Sequence, residues 1–140
     1  MKRESTLDGV PAHFPALMRA HRLSTKAGLT GFDWKHPDDL HDKLIEEVTE
    51  LRRAVADGHR GEIEEELGDV LFTMANVGRV LQVDPELALQ AANRKFIRRF
   101  HWIESELLRR GVPIAEAGSD LMEQLWVEAK RMEDQSTSSR

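Results

Sequence analysis

Leu40, Leu44, Val48, Leu51 and Val55 recur at three- and four-residue spacing. That is the period of an amphipathic helix, and it predicts one from about Asp38 to a stop at Asp57-Gly58. Upstream, a first helix is expected from about His13 to Ala27, followed by a loop over 28–37 that Gly28, Gly31 and Pro37 punctuate. A third helix should run from about Gly61 to Gln82. Asp84-Pro85-Glu86 then supplies an N-cap, a first-turn proline and an early acid for a fourth. Its stripe of Phe96, Phe100, Ile103 and Leu107 ends at Gly111-Val112-Pro113, and Ser119 caps a fifth helix carrying Leu121, Leu125 and Met132. Nothing reads as a strand, and no internal repeat is visible. Short loops between long amphipathic helices predict an all-α fold, an antiparallel bundle of four to five helices. The third helix is apolar nearly all round from Asp69 to Val77, which calls for cover on every side. A homodimer is the simplest cover.

Composition narrows the class. The 140 residues suit one domain, expected over 12–134 with flexible polar ends at 1–11 and 135–140. Hydrophobic residues at 40% and charged residues at 32% provide a core and a solvated surface, which excludes wholesale disorder. There is no cysteine, so disulfides and thiolate chemistry are absent. The chain has neither an apolar run of about 18 residues nor a secretory leader, and the expectation is a soluble, cytoplasmic protein without membrane contact. A formal charge of -5 argues against general binding to nucleic acid or anionic lipid. That sum hides an asymmetry: Asp42 to Asp69 holds ten acids and four bases, whereas Arg94 to Arg110 holds six bases and two acids. One stretch suits cations, the other anions.

The acids are placed unevenly around their helices. At 100° per residue Glu47 falls close to the apolar stripe of the second helix, Glu46 points away, and Glu50 shares the flank with Glu47. Glu66 and Asp69 repeat this three-residue spacing on the third helix, where Asp69 opens the apolar segment and is expected to be partly buried. Most acids in such runs are merely solvated. A carboxylate buried without a partner, however, costs several kcal/mol or becomes protonated, so four of them on adjacent helices need a cation between them. Oxygen-only donors favour Mg²⁺, Mn²⁺ or Ca²⁺ over zinc. The six histidines are scattered and no Glu-x-x-His occurs, which excludes the di-iron bundle pattern.

On the fourth helix Lys95 and Arg99, one turn apart, lie along the edge of the Phe96/Phe100 stripe, while Arg94 and Arg98 project away. The first two are either salt-bridge partners of the carboxylates or clamps for an anion that the cation also touches, and a cation with Lys and Arg suggests phosphate. Trp126 and Lys130, one turn apart, and Phe32 and Trp34 in the first loop either pack or stack on a base. No phosphate-cradling glycine motif is present. Glu62 to Gly68 echoes the core of the Nudix box, but Gly61 stands at its arginine position and its strands are missing, so that fold is rejected.

Together these residues resemble the MazG family of all-α nucleoside triphosphate pyrophosphohydrolases. The signature E-x-x-E, a spacer, then E-x-x-D is met by Glu47, Glu50, Glu66 and Asp69. Gly31-Phe32-Asp33-Trp34, Glu65 to Phe72, Ala92 to Phe100 and Trp126 to Lys130 extend the match over residues 14 to 133. It looks closest to the C-terminal catalytic domain of longer two-domain members. The resemblance implies hydrolysis of nucleoside triphosphates between α and β phosphorus to monophosphate and pyrophosphate, with Mg²⁺, in the service of nucleotide-pool house-cleaning. It implies Glu47, Glu50, Glu66 and Asp69 as metal ligands and Lys95, Arg99, Trp126 and Lys130 as nucleotide contacts. Lys43, one turn before Glu47, is a further candidate phosphate contact, Trp34 a candidate substrate contact, and Glu47 or Glu50 the base that deprotonates water. It also implies a homodimer, with a tetramer as the larger alternative. A narrower enzyme for dUTP, dCTP or damaged nucleotides on the same fold, and a non-catalytic helical dimer, are the competing readings.

Overall fold

The computed structural model describes residues 4–138. Its five α-helices are α1 (Ala16–Leu29), α2 (Pro37–Asp57), α3 (Arg60–Val80), α4 (Pro85–Arg110) and α5 (Gly118–Ser138), with one 3₁₀ turn at Ile114–Glu116. There is no strand among the described residues, so the all-α expectation holds. The residues group into two compact units, one up to Leu89 and one from Gln90. Residues 1–3 and 139–140 of the expected flexible ends lie outside the described residues.

Local chemistry sets most boundaries. Pro37 stands at the start of α2 and holds His36 extended, at φ -137° and ψ 144°, as a residue before proline must be. Asp38 and Asp39 complement the positive end of the helix dipole. At the other end Gly58 takes the left-handed conformation (φ 73°) and its N–H closes on the carbonyls of Ala54 and Val55. Asp84 Oδ1 accepts from the N–H groups of Glu86 and Leu87 at 2.9 and 3.1 Å, an N-cap for the start of α4. Between α3 and α4 the Val83 N–H bonds the Gly78 carbonyl at 2.8 Å. A Cβ on Gly78 would stand 2.9 Å from the Val83 carbonyl oxygen, so this close turn requires glycine.

In the first unit α3 packs against both α2 and α1. Among the described residues of this unit Leu40 is the one large side chain fully buried; Ala54, Ala75, Ser24 and Thr73 make up most of the remaining core. Small residues let helices approach closely, and among them lies Glu47, 6% exposed. The second unit is conventional. Ile103 and Leu107 of α4 meet Leu125 of α5, with Trp102, Leu121, Met122 and Trp126 packed around them.

Candidate active site

The α2–α3 pair carries the acids. A two-residue link at Gly58 and His59 reverses the chain, which places Glu47 of α2 beside Glu66 and Asp69 of α3. Carboxylate oxygens of these three lie within 4.8 Å of one another, and Glu50 is not one of the group. It instead bears on Glu66: burial, then the charge and hydrogen bond of Glu50, followed by the charges of Asp69 and Glu47, raise the Glu66 carboxyl above the ordinary glutamate value. Two oxygens, Oε2 of Glu47 and Oε2 of Glu66, are sealed from solvent with no hydrogen-bond partner. Orphaned buried carboxylate oxygens are costly, and a cation among three acids would satisfy them; the oxygen-only donor set suits a hard divalent ion. The residues therefore fit a divalent metal.

One correction concerns Asp69. Expected to be partly buried, it is exposed. The reason is that α3 keeps much of its apolar circumference uncovered: Leu67, Leu71, Phe72 and Met74 are each exposed.

Lys43, one turn before Glu47, donates to Glu47 Oε1 at 3.0 Å and reaches Glu46 at 3.5 Å. Glu47 holds the lysine's pKa above its ordinary value. Beside this cluster opens a cavity of about 630 Å³. Lys43, Glu47 and Asp69 line it together with the apolar surfaces of Leu23, Phe32, Trp34 and Phe72, and with Asn76 and Arg79. The loop before α2 thus brings Trp34 to the cavity. Arg79 binds both oxygens of Asp33, Nη1 to Oδ2 at 3.1 Å and Nη2 to Oδ1 at 2.6 Å, and its Nε donates to Asn76 Oδ1 at 2.9 Å. The arginine, helped by the Trp34 N–H, pulls the Asp33 carboxyl below the usual aspartate value.

In the second unit Arg99 is largely buried, donates from Nε to Glu133 Oε2 at 2.9 Å and lies 5.4 Å from the centroid of Trp126. Trp126 also packs on Phe96, at 5.4 Å between centroids. Lys95 and Lys130 are exposed. Arg99 and Trp126 therefore form one contact pair, with the arginine already neutralised by an acid that the sequence reading did not single out.

The MazG nucleotide pyrophosphohydrolase domain matches residues 35–103 of the chain. Over these residues the chain is similar to the MazG family. The MazG segment holds all four signature acids, Lys43, Asn76, Arg79, Lys95 and Arg99, while Trp34, Trp126 and Lys130 fall outside it. The chain is 39% identical over 135 residues to a nucleoside triphosphate pyrophosphohydrolase of Escherichia coli, covering 94% of this chain and 51% of that protein. It is 38% identical over 129 residues to the nucleoside triphosphate pyrophosphohydrolase/pyrophosphatase MazG of Thermotoga maritima, covering 92% and 49%. The chain thus spans about half the length of these curated relatives. A Bacillus subtilis protein, YabN, is 41% identical over 133 residues, 94% of this chain and 27% of its own length.

Sequence reasoning missed Asn76, Arg79 and Asp33 in this cavity. A signal was present: Asp69, Phe72, Asn76 and Arg79 follow one another at three- and four-residue spacing, and thus share a face of α3. Reading Asp69 to Val77 as apolar nearly all round hid Asn76, and Arg79 lies just beyond that segment.

Proposed function

We propose that the chain hydrolyses nucleoside triphosphates between the α and β phosphorus atoms, releasing nucleoside monophosphate and pyrophosphate, and serves to clear the cytoplasmic nucleotide pool. The observation that carries this is the carboxylate cluster with two orphaned buried oxygens, set at the edge of an aromatic-lined cavity. The triphosphate would meet the acids and the base would enter the apolar part.

Glu47, Glu66 and Asp69 would hold Mg²⁺, with Glu50 at their margin. The ion would supply charge stabilisation on the phosphate oxygens. Lys43 lines the same cavity and can exchange part of its contact with Glu47 for a phosphate oxygen. Glu50 stands outside the three-oxygen group and is our choice for the acceptor of the water proton. The water oxygen bonds to α-phosphorus, the bond from that phosphorus to the bridging oxygen breaks, and pyrophosphate leaves with the electron pair. On the resemblance, Lys95, Arg99, Trp126 and Lys130 are further proposed nucleotide contacts, Lys95 and Arg99 for the pyrophosphate, which requires Arg99 to exchange its contact with Glu133.

A homodimer is part of the same reading. Leu67, Leu71 and Met74 repeat at four and three residues on α3 and stay exposed, as do Ile45 and Val48 on α2. An uncovered apolar stripe on two neighbouring helices suits a second copy.

Hydrolysis in ¹⁸O-labelled water tests the reaction. Label in the monophosphate, none in pyrophosphate, fits attack at α-phosphorus. Label in pyrophosphate refutes it.

A further inference from the structure

The cavity changes character along α3. At Asp69 it is charged; seven residues on, about 10 Å along the helix at 1.5 Å per residue, it reaches Asn76 and Arg79. There the Arg79 charge is cancelled by Asp33 through two hydrogen bonds, one to each carboxylate oxygen. That end is polar, close to neutral, and flanked by Phe72 and Trp34. Such a surface suits a neutral, planar heteroaromatic ring better than a phosphate.

Asn76 is the one amide among the cavity's lining residues. A guanidinium has donors only, so the amide oxygen of Asn76 must face Arg79 Nε, which it does at 2.9 Å. The amide nitrogen keeps two N–H donors, has no protein partner among the described residues and is not sealed from solvent. The orientation is not adjustable without cost, because turning the amide over would set its N–H groups against the arginine N–H. Arg79 is itself fixed across 46 residues by Asp33, and Gly28 makes room for the pair: a Cβ there would stand 3.2 Å from Asp33 Oδ2 and 3.3 Å from Arg79 Nη1.

We propose that Asn76 reads the base of the nucleotide, donating from its amide nitrogen to an exocyclic carbonyl, so that the chain prefers carbonyl-bearing bases to their amino counterparts. This rests on the reading of the site given above. Hypoxanthine is preferred to adenine, and uracil to cytosine, because each amino base turns an N–H donor toward Asn76 where its counterpart offers an acceptor. Arg79 and Asp33 are positioning residues that hold the amide in its donating orientation.

The test compares kcat/KM for the matched pairs ITP/ATP and dUTP/dCTP. The members of each pair differ in one exocyclic group and the adjoining ring nitrogen. The intact protein should favour the carbonyl member by about tenfold, the worth of one net hydrogen bond. Asn76→Ala should bring both ratios to within about twofold of one, and Asn76→Asp, which presents acceptors only, should invert them. A merely structural role for Asn76 would lower both members together and leave the ratios alone. Ratios near one in the intact protein, or ratios that survive in both variants, overturn the proposal while hydrolysis itself stands. If none of the four nucleotides is hydrolysed, the proposed function fails first. Equilibrium binding of the same four, with Mg²⁺, then decides: an affinity ratio that follows Asn76 supports base reading, and equal affinities overturn it.

Discussion

Asp69→Asn separates the stability of the acidic cluster from its function, because the two should move in opposite directions. In the protein without metal, the Asp69 carboxylate has an oxygen within 4.8 Å of a carboxylate oxygen of Glu47. Two unit charges at that separation repel by about 1 kcal/mol at the dielectric constant of water and by about 3.5 kcal/mol at an effective value of 20. Asp69 is exposed, so the lower figure governs, and ordinary salt reduces it further. Asparagine has nearly the same shape and no charge. The variant should gain up to about 1 kcal/mol in chelator, a rise of about 2–5 °C in Tm for a chain of this size. The same change removes a metal ligand. Ligand binding at a hundredfold excess over Kd stabilises a native state by about 2.7 kcal/mol, and the variant should forfeit most of that shift when Mg²⁺ is added. Turnover should be abolished with helicity intact. Thermal melts with chelator and with Mg²⁺, paired with an activity assay, give all three numbers. A variant that melts lower than the parent in chelator and still turns over refutes the cluster as a metal site.

Glu66 predicts a pH dependence. Its folded pKa lies above the ordinary 4.5, so the native state holds that proton more tightly. The contribution to stability is present below the unfolded value and lost as pH rises through the folded one. In chelator, Glu66→Gln should therefore flatten the fall in Tm above pH 4.5, and an unchanged profile counts against the assignment. Gly78→Ala drives a methyl group to 2.9 Å from the Val83 carbonyl and should cost about 1–3 kcal/mol, read from urea midpoints. The proposed homodimer predicts a dimer in sedimentation that Leu71→Asp, on the exposed α3 stripe, turns into monomer; a monomeric parent refutes the dimer, and a variant that stays dimeric removes that face from the interface.

Much of the fold was legible because helices announce themselves by period and punctuation. Pro37 and the Asp84-Pro85 pair mark helix starts within a residue of where they occur, and Gly58 marks the end of α2 by the left-handed conformation it adopts. Boundaries drifted where tertiary context decides: α1 begins at Ala16 rather than near His13, since Pro15 sits at its cap, and continues through Gly28 to Leu29. The 3₁₀ turn at Ile114–Glu116 carries no period to read. At the site, three of the four acids expected to converge do so, because α2 and α3 pack side by side with Glu47, Glu66 and Asp69 on facing sides. Glu50 stands just outside them, a matter of side-chain placement that spacing leaves open. The Asp33–Arg79–Asn76 chain joins a loop to a helix 46 residues away, and no local pattern encodes such a pairing.

The central claim is most directly tested by separating the products that the purified protein forms from a panel of ribo- and deoxyribonucleoside triphosphates, with Mg²⁺ and with chelator. Metal-dependent hydrolysis at the α–β bond yields nucleoside monophosphate and pyrophosphate in equal amounts, only with the metal. Diphosphate and orthophosphate, or undiminished turnover in chelator, would contradict it.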